Sequence, residues 1–142
     1  MWYCRALVRG ICVATAAAWL AACAGTPSLS QNASAQRAAW MAHAGKPIDQ
    51  FMWRTGYRRW TAISPDQIVV WTDLNRAYLI TVNHPCTNLW FAPTIGFTHP
   101  EDTVFTKANF VKAQGWTCTI KTIQPVDYRK MEQDQRQASA TG

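Results

Sequence analysis

At 142 residues with a hydrophobic share of 49% and eight tryptophans, the chain has material for one small core and no length for a second domain. The formal net charge is +6, a modest excess that favours loose attraction to anionic surfaces and specifies no particular partner.

The first 22 residues read as an export signal. Arg5 and Arg9 form a positive n-region, residues 11–22 an uncharged apolar run, and small residues lead up to Cys23. The run falls short of the roughly 20 apolar residues a spanning helix needs, so a cleaved signal is expected instead of a membrane helix. Leu20, Ala21, Ala22 and Cys23 resemble the lipobox of bacterial lipoproteins, whose cysteine is acylated and becomes the new N-terminus. The alternative is an ordinary signal cut near Ala22 or Ala24, which would leave Cys23 incidental and the product soluble in the periplasm or secreted. Ala24 is not the aspartate that in many such lipoproteins marks inner-membrane retention. The resemblance therefore implies a lipid anchor at the outer membrane, facing the periplasm. Several acyl chains would make such an anchor effectively permanent. Loss of the leader leaves 12 of the 14 basic residues against 8 acidic ones, and an envelope address argues against nucleic acid as a partner.

Cys4 and Cys12 would leave with the signal and Cys23 would carry lipid, so Cys86 and Cys118 remain. In an oxidising compartment a disulfide between them is expected, worth roughly 3–4 kcal/mol on the chain-entropy argument; two buried free thiols are the alternative. They lack C-x-x-C spacing, which disfavours redox catalysis and zinc.

Residues 23–35 are rich in Ala, Ser, Gln, Thr and Gly and read as a lipidated flexible tether. A short helix is expected over 34–44, capped by Ser34 and ended by Gly45 and Pro47, with Trp40 and Met41 docking on the domain. From Asp49 to Ile63 the pattern is strand, broken at Gly56. A turn around Pro65 then leads into the stretch that organises the domain, a hairpin over 67–86. Ile68, Val69, Val70 and Trp71 make its first strand, and Tyr78, Ile80 and Val82 share one face of its second. Asp73 to Arg76 form its turn, with Asn75 the residue suited to a left-handed backbone. Residues 88–97 hold Pro93 and Gly96, which indicates an edge strand or a crossing loop. A strand over 103–112 should pair with one over 116–123, whose Cys118 and Ile120 face inward while Thr117, Thr119 and Lys121 face out. The domain is thus expected to span 36–127, and residues 128–142, with little to bury, to be a disordered tail.

Enzyme signatures are absent: no G-x-S-x-G, H-E-x-x-H or Gly-rich phosphate loop occurs. No catalytic residue and no cofactor are therefore assigned, and the sequence leans away from an enzyme. A small periplasmic hydrolase or metal-dependent enzyme using His84 and His99 is the competing reading, although histidines beside prolines are commonly turn residues. A third is an inhibitor presenting residues 98–102 as a loop. Trp53, Arg54, Tyr57, Arg58, Arg59 and Trp60 interleave aromatic and cationic side chains, a mixture that can grip a sugar, a peptide or an anion. Alternatively they are a strand pair with one packed face and one solvated face.

These residues bring the chain close to an uncharacterised family, a domain of unknown function found in small proteobacterial cell-envelope lipoproteins and exported proteins. The resemblance is carried by Ala44, Gly45, Pro47, Ile48 and Asp49, by residues 69–72, and by residues 75–79. It continues through Cys86, Leu89, Phe91, Ala92, Ile95, Gly96 and Thr98, then residues 118–123 and Pro125, and covers about 38–127. It implies a shared fold, an envelope address and cysteines at the positions of Cys86 and Cys118. The family has no established activity, so it carries over no catalytic role.

The expected product is a mainly β domain: about six antiparallel strands in a meander closing into a barrel or sandwich, with one short N-terminal helix. The expected function is that of a non-enzymatic binding or accessory structural module, held to the membrane by its lipid and meeting a protein or glycan partner in the envelope.

Overall fold

The run at residues 68–71 sits in a strand that is buried on both faces, and the fold is built outward from it. The computed structural model describes residues 29–141 apart from 53, 55, 85 and 99–101; the leader, Cys23 and the first part of the expected tether lie outside the described residues. In chain order the elements are α1 (Leu29–Ala42), β1 (Gln50–Met52), β2 (Arg59–Ser64), β3 (Gln67–Asp73), β4 (Arg76–Val82), a 3-10 helix (Thr87–Phe91), β5 (Gly96–Phe97), β6 (Thr103–Phe105), β7 (Phe110–Ala113), β8 (Trp116–Val126) and α2 (Tyr128–Ala140). None of the described helices is long and apolar enough to cross a membrane.

Six strands form one antiparallel sheet in the order β2-β3-β4-β8-β7-β5, and β1 pairs with β6 beside it. Register shifts fall at Ala62/Ser64, Trp71/Asp73 and Thr81/Val82. Each extra residue bends its strand and tightens the twist, so the sheet curls into a half-barrel. β8 is long enough to serve both sides: Trp116 to Thr119 pair with β7, and Ile120 to Val126 pair with β4. Bridges from Ala44 to Val126 and from Ile48 to Ile123 cover the rest of its edge.

The concave face holds an aliphatic core that includes Ile68, Val70, Ile80, Val82, Leu89, Val104, Val111, Ile120 and Ile123, closed over by Phe51. The convex face carries Val69, Trp71, Ala77, Leu79 and Val126, covered by Trp40 of α1 and Met131 of α2. Because both faces are covered, β3 reads as a continuous apolar run and not as an alternating one. Cys86, just past β4, and Cys118 in β8 form a disulfide across 32 residues with Cα atoms 5.9 Å apart. The crosslink fastens the exit of the central hairpin to the longest strand.

The mainly β class and the central hairpin are as the sequence indicates, and four local expectations need correction. The C-terminal residues are not disordered: Asp127 accepts a bond from the Lys130 amide at 3.1 Å and caps α2, and Met131 is buried. One methionine and one tyrosine suffice to dock this helix because the surface they meet is aromatic. The N-terminal helix starts by Leu29, not Ser34; the Ser34 hydroxyl donates to the Gln31 carbonyl at 2.9 Å from inside the helix, so the second half of the expected tether is helical. The strand expected over 103–112 is two strands with different partners, separated by a turn in which Lys107 has φ 62°. Buried Asn109 holds that turn by accepting the Phe105 amide at 2.6 Å. Finally, Asn75 does not adopt a left-handed backbone; Lys107 and Gln114 are the described non-glycine residues that do.

Candidate functional site

On an antiparallel pair, directly opposed residues project from the same face. Arg59 opposes Trp71, so its side chain lies over that indole, with the guanidinium carbon 4.0 Å from the ring centroid. The same carbon is 5.4 Å from the Tyr128 ring, and Nη2 donates to the Tyr128 hydroxyl at 2.9 Å. That hydroxyl in turn donates to Glu132, one turn along α2. Trp40 completes the group. Its ring meets Trp71 edge-on at 5.4 Å and lies nearly parallel to Tyr128 at 5.9 Å, while Trp71 and Tyr128 are perpendicular at 5.6 Å.

Above this aromatic floor is a cleft of about 360 Å³ between α1, β2 and α2, in which Gln36, Thr61, Glu132 and Gln135 add polar groups around Arg59. Its size falls in the range of small-molecule sites. Trp40 and Trp71 are each only 4% exposed, and their indole Nε1 atoms have no hydrogen-bond acceptor. The Arg59 guanidinium carries five N–H groups and forms no ion pair among the described residues. Placed over Trp71 and bonded to Tyr128, it offers its remaining donors to the cleft.

A second contact fixes the cleft's far wall. His43, just beyond α1, donates from Nδ1 to the Ala39 carbonyl at 2.8 Å and from Nε2 to Asp134 of α2 at 2.8 Å. Two acceptors facing two ring nitrogens favour the doubly protonated imidazolium. The Ala39 carbonyl first, then the Asp134 carboxylate, hold the His43 pKa above its ordinary value of 6.5. The same bond from His43 holds Asp134 below its ordinary 3.8.

The aromatic and cationic run found in the sequence is dispersed by strand parity. Arg59 enters the cleft, Trp60 and Tyr57 pack on the concave core, Arg54 and Arg58 are exposed, and Trp53 lies outside the described residues. His84 is two-thirds exposed with Nε2 3.7 Å from Asp66, and His99 lies outside the described residues together with most of the 98–102 loop. Among the described residues no cluster of His, Cys, Asp or Glu could hold a metal. Tyr128, Glu132 and Gln135 are the site residues that sequence reasoning missed. Their signal was present: Asp127 as an N-cap, followed by Tyr128, Met131 and Glu132 at helical spacing on one face.

No curated protein and no solved structure matches the chain. One family profile does, over residues 5–142, and the chain belongs to that family, a family of unknown function, DUF6491.

Proposed function

We propose that this is an exported, lipid-anchored, non-enzymatic binding module of the cell envelope, and that its cleft takes a saccharide or a short peptide segment. The observation that carries the reading is Arg59, which lies over the Trp71 ring and bonds the Tyr128 hydroxyl with donors left over. Around it are the amides of Gln36 and Gln135 and the carboxylate of Glu132. Planar polar side chains beside aromatic rings suit a hydroxyl-rich or amide-rich ligand, because each can bond two neighbouring groups at once. The leader, the small residues before Cys23 and the cysteine itself support the address, and the Cys86–Cys118 crosslink suits an oxidising compartment.

The test is titration of the purified protein with soluble glycan fragments and stem peptides from the envelope, followed by tryptophan fluorescence. A ligand of this class should perturb Trp71, and Arg59→Ala or Glu132→Gln should weaken it at least tenfold while the far-ultraviolet spectrum stays unchanged. Equal affinity in wild type and both variants, or silence across the panel, would remove the cleft as the site.

A further inference from the structure

Most large apolar side chains in this domain are covered, but three aromatic rings at one end are not. Trp90 and Phe91, at the end of the 3-10 helix, are 42% and 75% exposed, and Trp116, at the start of β8, is 53% exposed. They are brought to one end by the β7–β8 turn: Ala113 opposes Trp116, and the next residue, Gln114, donates from its side chain to the Phe91 carbonyl at 3.2 Å. Trp116 follows the inward parity of Cys118 and Ile120, yet it projects past the end of β4, which reaches only to the level of Ile120. Its ring therefore stands at the mouth of the half-barrel.

This rim and the cleft are at opposite ends. β8 runs from Trp116 to Val126, about 34 Å at the usual rise, and Tyr128 follows two residues later. The β3–β4 turn is at the cleft end too, where Asn75 accepts a bond from Arg129 of α2 at 3.1 Å.

We propose that Trp90, Phe91 and Trp116 rest on the surface of the lipid bilayer that anchors the chain, so that the cleft faces away from it. The proposal rests on reading Cys23 as the lipidated residue. Three observations commit the rim to lipid. The first is the short leash. Cys23 and the start of α1 at Leu29 are separated by a segment that reaches at most about 20 Å when extended. From Leu29 to Trp40 the helix adds about 16 Å, so the body of the domain stays within roughly its own length of the membrane. The second is direction: α1, from which the leash departs, reaches the rim end of the sheet through Arg37, whose Nε donates to Gln67 at 2.7 Å; Gln67 opposes Thr81, next to Val82, which pairs at the level of Ile120. The third is chemistry. Tryptophan, with an apolar body and a polar N–H, is the side chain enriched at the membrane interface. Lys112, exposed on β7 and paired in register with Thr117, has no ion pair among the described residues and complements an anionic headgroup. Three rings would hold a free protein weakly, but the leash supplies a high effective concentration.

The experiment uses the full lipidated chain, reconstituted in vesicles of phosphatidylethanolamine and phosphatidylglycerol, with an environment-sensitive dye on Phe91→Cys or, as control, on Leu74→Cys. Leu74 is 71% exposed and lies in the turn at the cleft end. Nitroxide-labelled lipid should quench the dye at position 91 severalfold more than at 74, with a blue shift at 91 alone. Adding Trp90→Ala and Trp116→Ala should abolish the difference. Equal quenching at both positions overturns the orientation, and so does a dye at 91 that stays in water on vesicles but shifts when the chain is concentrated, which would give the rim to a second copy. A chain that does not sediment with vesicles at all overturns the anchor and the contact together, whereas one that sediments without quenching at 91 overturns the contact alone.

Discussion

The two faces of the curled sheet are stabilised in different ways. The concave side is filled by buried aliphatic residues from five strands, β3, β4, β6, β7 and β8, and closed by a disulfide. The convex side also has an aliphatic layer, Ile63, Val69, Ala77, Leu79 and Val126, but what covers it is three rings, a methionine and an arginine lying over an indole, held by two helices. Aliphatic burial is non-directional and makes the concave core a single cooperative body. The convex side depends on a few oriented contacts, several of them polar, and α2 buries only Met131. Stability is therefore expected to be graded, with the disulfide-bound half opening only on global unfolding and α2 opening locally.

The crosslink offers the largest test of that contrast. Replacing Cys86 and Cys118 with serine should cost about 3–4 kcal/mol for a 32-residue separation in denaturant unfolding, and should speed amide exchange in β4 and β8 together. A loss below about 1 kcal/mol would mean that the aliphatic packing alone holds the concave half. Ending the chain after Asp127 is the next largest. It removes the burial of Met131 and the ring contacts of Tyr128, about 2–4 kcal/mol in sum, and should leave slow exchange in β4 and β8 intact while exposing Trp71 to aqueous quenchers. If truncation instead loosened the whole sheet, the two faces would be one cooperative unit.

The same contrast explains what could be read from the sequence. The concave half was legible because its signals are local and repeated: Ile68 and Val70 within an apolar run, period two at Tyr78, Ile80 and Val82, and two cysteines left for one another. The convex half was not. Asp127, Tyr128 and Met131 are spaced for a capped helix, but nothing local says that Trp40 and Trp71, 31 positions apart in sequence, meet edge-on to receive it. Parity misled in the same way at residues 53–60: a run that looks like one cationic aromatic surface is divided by the strand between two faces, and Arg59 is its one described cation that lines the cleft. The break between β6 and β7 was hidden because its turn, Thr106 to Ala108, contains no glycine or proline; the buried Asn109 side chain supplies the turn chemistry instead.

The smallest effect expected belongs to His43 and Asp134, and it separates the two faces by pH alone. His43 has its folded pKa raised above 6.5, so its stabilisation is full below that value and is lost as pH climbs through the raised one. Asp134 has its folded pKa lowered beneath 3.8, so its share is present above that value and disappears as pH falls through the lowered one. The contact between α1 and α2 is thus strongest in mildly acid solution, with Lys130, 3.8 Å from Asp134, competing for the same carboxylate. Raising the pH from about 6 to about 8 should accelerate exchange of the α2 amides beyond the intrinsic chemical change and leave β4 and β8 unaffected. His43→Gln keeps a donor toward Asp134 but cannot titrate, so its α2 exchange should follow the intrinsic rate across that interval. A wild-type profile identical to that of the variant would show that α2 is held by Met131 and the rings, with no contribution from the imidazolium.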